Sequence, residues 1–202
     1  MRAFYEAVWA DLPPEIRPWA WERRRALLLA EARPGERVLD LGCGAGHFTA
    51  ALLGHGCDVI AVDIAERALE RARRTAPGAD LRLIGPGGEL PVDHREIDLV
   101  WCSEVVEHIP DVGAALTEVR RVLRPGGRLL LTTPAHGLVR RVLIAALRFD
   151  AHFDPLGEHV RFFTRRSLRA SLEAAGMDDA TVTTTGGPPL LRETLVARAV
   201  RD

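Results

Sequence analysis

Three glycines at alternate positions, Gly42, Gly44 and Gly46, follow the apolar run Val38-Leu39-Asp40-Leu41, and this spacing is the first sign of chemistry in the chain. Glycine permits positive φ and leaves no Cβ between backbone and ligand, so the loop reads as a cradle. Such cradles serve phosphates, dinucleotides and adenosyl compounds alike. The dinucleotide pattern G-x-G-x-x-G counted from Gly42 needs a glycine where His47 stands, and the Gly-Lys-Ser/Thr ending of a Walker A loop is absent. Asp40 adds a carboxylate that repels a pyrophosphate and accepts hydrogen bonds from an ammonium group or through water, which points to a cationic ligand. Asp63 ends a second apolar run, 57–62. Its two oxygens can accept from the two hydroxyls of a ribose, or it can cap the helix that begins near Ala65, and both roles can coexist. A further group follows the run 97–102: Ser103-Glu104-Val105-Val106-Glu107-His108. Two carboxylates and an imidazole can ligate a cation or tie a loop together by hydrogen bonds; we take the second reading and assign no metal.

These groups need a frame. Residues 38–41 suit a buried parallel strand, the glycines a tight turn, and the residues after Gly46 a helix ending near Gly54 and Gly56. Further strands are expected at 57–63, 80–84 and 97–102. Asp111 can cap a helix through Leu123, which stops at Arg124-Pro125-Gly126-Gly127-Arg128 before a strand at 129–134. Thr164 is expected to cap the last helix, to Ala175, and two strands at 179–185 and 191–199 close the sheet. Ahead of all this, residues 1–32 form two helical pieces parted by Pro13-Pro14, with Pro18 in the first turn of the second. Trp9, Trp19 and Trp21 are expected to pack these helices onto the sheet. The alternation of strands and helices implies an α/β fold whose ligands lie at the carboxyl ends of the strands.

Taken in order, D-x-G-x-G-x-G at 40–46, S-x-V-x-E-H at 103–108, R-P-G-G at 124–127 and G-x-H-x-x-x-F-T at 157–164 resemble the class I S-adenosylmethionine-dependent methyltransferases. Within them the chain is similar to the type 11, ubiquinone-pathway O-methyltransferase-like group. The resemblance implies a Rossmann-like sheet of seven strands, order 3-2-1-4-5-7-6, with strand 7 antiparallel and helices on both faces. It implies S-adenosyl-L-methionine as cofactor, held by Asp40, Gly42, Cys43, Gly44, Gly46, Asp63, Ile64, Gly87, Cys102 and Ser103. It further implies a small-molecule acceptor methylated on a hydroxyl oxygen. His159 is the expected general base, with His108 and Glu107 as the fallback pair, since an ordinary imidazole is largely free base at neutral pH. One departure stands out. Where the family reads G-D-A-x-x-L-P, this chain has Pro86 in the aspartate's place, which leaves adenine to the Gly87 N–H, to Glu89 reaching back, or to stacking on Ile64. The same departure keeps a second expectation open, an inactive S-adenosylmethionine-binding regulatory module, which product formation would separate from the enzyme.

The composition agrees with one α/β domain over 1–202: 202 residues, a net charge of −1 and 47% hydrophobic residues. Residues 1–33 form a helical cap, and an insertion, 136–163, is expected to hold the acceptor. No basic block rises above ordinary helix-face charge, so no nucleic-acid partner is expected. Cys43, Cys57 and Cys102 lack C-x-x-C spacing and imply neither zinc nor disulfides. With no signal pattern and no apolar run of ~20 residues, a cytoplasmic location is expected. Residues 138–149 form an apolar helix flanked by arginines, either a lid packed on the domain or a weak peripheral membrane contact. The sequence leaves the oligomeric state open.

Overall fold

A computed structural model describes residues 1–13, 15–154 and 157–202. Seven strands form one sheet in the order β3-β2-β1-β4-β5-β7-β6. They are β1 Arg37–Leu41, β2 Asp58–Asp63, β3 Asp80–Leu83, β4 Ile97–Ser103, β5 Leu123–Pro134, β6 Asp178–Thr185 and β7 Thr194–Val200. β1 to β5 pair in parallel, and β7 runs antiparallel to both its neighbours, as expected. The helices are α1 Arg2–Asp11, α2 Trp21–Glu31, α3 His47–Gly54, α4 Glu66–Thr75, α5 Val112–Val122, α6 Leu138–Leu147, α7 Phe149–His152 and α8 Arg165–Ala174.

Side chains alternate between the faces of a strand, and the two faces here build separate cores. Leu39, Leu41, Val100, Cys102, Leu129 and Leu131 pack with α5 and α8 residues such as Leu116, Leu168 and Leu172. The intervening Val38, Leu99, Trp101 and Leu130 pack on the other face with Leu28 of α2 and with Phe48 and Leu52 of α3. Both faces of the central strands are thus covered, which is why those strands are continuous apolar runs.

Register decides where the site falls. Leu41 lies opposite Val62 on one side and Cys102 on the other, so Gly42, Asp63 and Ser103 come next to one another where the strands end. The sheet changes direction of winding between β1 and β4, and the crevice at such a switch point is where open α/β sheets take ligands.

The caps form as expected: Asp111 Oδ1 accepts from the Ala114 N–H at 2.9 Å, and Thr164 closes a capping box with Ser167. Several boundaries differ. The R-P-G-G stretch belongs to β5, which begins at Leu123 and absorbs the extra residues as a register shift against Ile97 and Leu99. Pro18 lies ahead of α2, which starts only after Ala20 turns into the left-handed region at φ 50°. The final strand starts at Thr194, because Pro189–Leu191 forms a 3-10 turn, and the insertion's helix ends at Leu147 before the separate α7. Pro14 of the expected break, and Pro155-Leu156 of the insertion, lie outside the described residues. All three cysteines are buried free thiols. Among the described residues no helix is long and apolar enough to cross a membrane.

Candidate active site

A cavity of about 250 Å³ opens between the glycine loop and the amino-terminal segment. Its walls include Asp40, Gly42, Cys43 and Gly44, with Ser103 and Glu104 from the end of β4. At Gly42, φ is +72° and a methyl of Val105 lies 2.4 Å from where a Cβ would stand, so both conformation and space demand glycine. Asp40 is buried, and its Oδ2 accepts from Thr49 Oγ1 at 2.6 Å. Burial, assisted by the charge of Asp63 and opposed by the Thr49 bond, pushes the Asp40 carboxyl up to about 7.

Asp63 accepts from two backbone donors, Gly44 N–H on Oδ2 and Ala65 N–H on Oδ1, each at 3.0 Å. A carboxylate offers about four lone-pair sites, so two remain for a ligand diol. Asp63 is not the cap of α4, whose N-cap is Ala65. Glu6 of α1 does that work instead, accepting from the N–H groups of Glu66 at 2.6 Å and Arg67 at 3.3 Å. Burial holds the Asp63 carboxyl above its usual range.

Asp63 and four further residues expected to bind the cofactor lie outside the cavity wall. Gly46 (φ +80°) turns the chain into α3. Cys102 is a correction: its side chain is in the core under α5 and α8, because alternation along β4 turns it away from the crevice. The Ile64 carbonyl accepts from Arg2 Nε at 3.1 Å, and Arg2 Nη2 reaches the Ile84 carbonyl at 2.5 Å, so α1 covers the ends of β2 and β3. Glu89 does fold back: its carboxylate lies 3.4 Å from where a Cβ on Gly87 would stand.

The cavity's buried cation was missed by sequence reasoning. Arg24 is 4% exposed; its Nε donates to the Trp19 carbonyl and its Nη1 to Ser103 Oγ, both at 2.8 Å. Ser103 Oγ shares a 2.8 Å hydrogen bond with Thr132 Oγ1, which also donates to Glu104 Oε1 at 2.9 Å. The available signal was helical phase: Arg24 and Leu28, four residues apart, form the buried face of α2. The tryptophans divide. Trp21 packs on the core as expected, whereas Trp9 and Trp19 line the cavity, with Trp9 Cζ2 2.9 Å from where a Cβ on Gly44 would stand.

The second half of the site lies on the loop after β4. Glu104 takes a left-handed φ of 55°, and Val106–His108 makes a 3-10 turn. The Glu107 carbonyl accepts from the N–H groups of Val160 and Arg161 at 2.9 and 3.0 Å, which ties the end of the insertion to this loop. His108 Nδ1 pairs with the Glu158 carbonyl at 3.0 Å, and the His108 and His159 rings meet edge to face, 4.8 Å between centroids. The structure therefore brings together all three residues expected to be catalytic: ligand-type atoms of Glu107, His108 and His159 lie within 4.8 Å of one another. Such a trio also has the makings of a divalent-cation site.

Their electrostatics differ. Burial lowers His108, and burial together with the charge of His108 lowers His159, so both imidazoles are free bases at neutral pH. Glu107 is 1% exposed; burial and the charge of Glu104 push its carboxyl up to about 8. Burial thus favours its protonated form at neutral pH, which leaves the two imidazoles as the free bases of the group. Glu107 Oε2 accepts from Thr133 Oγ1 at 2.9 Å. Tyr5 of α1, another residue the sequence did not flag, packs edge-on against His108 at 5.9 Å. Burial, then the charges of Glu158, Glu107 and Asp63, hold its phenol protonated. In the insertion, His136 Nε2 pairs with His152 Nε2 at 3.1 Å, and burial and His152 push His136 down to about 4.

A sheet of this order, with a glycine loop and a strand-end carboxylate at its switch point, defines the class I methyltransferase fold. The chain belongs to the S-adenosylmethionine-dependent methyltransferases: the family described as "Methyltransferase domain" matches residues 14–182. It is 36% identical over 142 residues to the biotin biosynthesis bifunctional protein BioHC of Cellvibrio japonicus, a match covering 70% of this chain and 27% of that one. It is 34% identical over 148 residues to malonyl-(acyl-carrier protein) O-methyltransferase of Methylococcus capsulatus, covering 71% and 52%. The chain thus spans about half the length of these relatives or less. Among solved structures, phosphoethanolamine N-methyltransferase 2 of Haemonchus contortus in complex with S-adenosyl-L-methionine shares the fold, with a TM-score of 0.70 at 16% identity over 98% of this chain and 56% of that one.

Proposed function

We infer that this chain binds S-adenosyl-L-methionine in the cavity under the amino-terminal helices and methylates an oxygen of a small-molecule acceptor, with His159 taking the proton. The residues fit such a donor. Its amino-acid end is a zwitterion, and the cavity wall offers a buried guanidinium, Arg24, together with the carboxyls of Asp40 and Glu104. Asp63 keeps lone pairs for a ribose diol, and Glu89 over Gly87 supplies the acceptor that Pro86 lacks. When bound, the donor supplies a methyl group already activated by its sulfonium, so the chain's own residues have to align the acceptor, exclude water and remove a proton.

The observation that carries this reading is the meeting of His159 with His108 and Glu107 beside the donor crevice. Glu107 holds the insertion through its carbonyl, His108 backs the His159 ring, and His159, the exposed member, faces outward to an acceptor. An oxygen acceptor is supported by the relative named as an O-methyltransferase. The test is His159→Ala, assayed on phenols, quinols and sugars with labelled donor. General-base loss should cut turnover by about 10²–10⁴ and leave donor affinity intact. Full turnover across pH 6 to 8 would remove His159 from the mechanism. Turnover abolished by a chelator and restored by magnesium would give the cluster a cation instead of a proton. Donor binding with no product from any acceptor would favour the regulatory module, whose support is Pro86. A carboxylate acceptor, which carries no proton to remove, would leave the variant active on that substrate alone.

A further inference from the structure

The insertion carries an apolar surface that lies outside both the cavity wall and the group of Glu107, His108 and His159. α6 buries Ile144 alone, while Leu138, Val142 and Leu147 are 69%, 58% and 75% exposed. At 3.6 residues per turn, these three share one continuous arc with the exposed Val139, Leu143, Ala145 and Ala146. Phe149 of α7 and Leu190 of the 3-10 turn beside α6, 57% and 74% exposed, extend it. Contiguous apolar surface of this kind marks an interaction site. Arg141 and Arg148 are exposed on the flank between the arc and Ile144, and neither joins a salt bridge among the described residues. Arg140, half-buried, faces the His136 and His152 pair instead.

We propose that α6, α7 and the turn Pro189–Leu191 form a docking face for an anionic lipid bilayer. The apolar arc enters the acyl boundary, and Arg141 and Arg148 meet the headgroup phosphates. The charges select this occupant. α6 holds no carboxylate, so a second copy of α6 packed against it would offer Arg141 and Arg148 no counter-charge. An uncharged protein surface would dehydrate both guanidiniums without pairing them. A helix of ten residues is about 15 Å long, which suits lying in the interface and is too short to span it. None of this depends on the methyl-transfer reading.

The test is co-sedimentation of the full chain with vesicles of phosphatidylcholine, alone or mixed in equal parts with phosphatidylglycerol. Partition onto the anionic vesicles should be stronger by roughly tenfold or more, and should weaken with salt. Leu138→Asp with Val142→Asp should abolish it, and Arg141→Glu with Arg148→Glu should remove the anionic preference. All four positions are exposed, so melting temperatures should stay unchanged and the variants remain folded. Equal partition of the unmodified chain onto both vesicles, or an anionic preference that survives the arginine reversals, would overturn the proposal. So would chain that ignores vesicles but self-associates in ultracentrifugation and is returned to monomer by Leu147→Asp, which would assign the face to a second copy.

Discussion

Arg24 is the side chain on which the electrostatics of the cavity turn. It is buried among carboxyls that burial has raised, Asp40 and Glu104, with Glu104 Oε1 at 4.0 Å. Burial lowers the guanidinium's own pKa, but an arginine starts so high that it stays charged. A buried cation at the cavity wall is placed for the carboxylate of an amino-acid ligand, and a charge-assisted bond of this kind is worth about 1.5–3 kcal/mol. Arg24→Met keeps the bulk and removes the charge, so donor affinity measured by calorimetry should fall roughly tenfold to a hundredfold or more. Unchanged affinity would place the donor's carboxylate elsewhere. Asp63→Ala should weaken the donor in the same direction. Because it also strips the acceptor from the N–H groups of Gly44 and Ala65, that variant should lose stability too, whereas a pure ligand contact would not.

Among the elements, α1 is attached in an unusual way: none of its residues is buried. Polar clasps hold it. Arg71 donates to the carbonyls of Trp9, Leu12 and Pro13 and lies 5.4 Å over the Trp9 ring, and Glu6 caps α4. An element with little apolar burial opens at a free energy well below global unfolding. Glu6→Ala removes a cap worth about 0.5–2 kcal/mol, so α1 amides should exchange faster and the melting temperature should drop by about 2–4 °C per kcal/mol. Exchange across α1 that matches the unmodified protein would show that Glu6 is not what holds it. This element also marks the limit of what the sequence makes legible. The glycine loop and the caps at Asp111 and Thr164 are written in local patterns, whereas the strand order and the grouping of Glu107, His108 and His159 came with the family resemblance. Glu6, Tyr5 and Arg24 take partners that lie 60 to 103 positions away in the chain, and within their own helices only Arg24 carries a mark, its place one turn before Leu28 on the buried face of α2. Cys102 went astray because one step along a strand exchanges the crevice for the core.

For the molecule as a whole, the site costs stability in a way that depends on pH. Burial, opposed at Asp40 by its Thr49 bond, holds Asp40 at about 7 and Glu107, with the charge of Glu104 added, at about 8. Both groups titrate near ~4 in the unfolded chain. Between those values these two groups bind more protons in the folded state than in the unfolded one, so their contribution to stability falls as pH rises. The contribution is full below pH ~4 and is lost once pH passes 7 to 8, on the order of 2–4 kcal/mol for each fully buried group. Carboxylates held low by arginine partners act in the opposite sense: Glu118 by Arg121 and Asp80 by Arg82 lose their contribution as pH falls below ~4. Below pH ~6.5 the histidines that burial lowers, His108, His136, His152 and His159, act against the raised carboxyls, because there the unfolded chain takes up the protons they refuse. The unliganded chain should therefore melt highest between about pH 6 and 7 and lower toward pH 8. Glu107→Gln retains the neutral shape of the protonated acid, so it should flatten that slope and raise the melting temperature at pH 8. A donor with an ammonium group favours ionised Asp40, so binding at pH 7 should release protons, and calorimetric heats should differ between buffers of unlike ionisation enthalpy. Scanning calorimetry from pH 5 to 8 decides the matter: a melting temperature that rises toward pH 8, or a Glu107→Gln slope equal to that of the unmodified chain, would mean that Glu107 ionises as an ordinary carboxylate and is open to act as the base in place of His159.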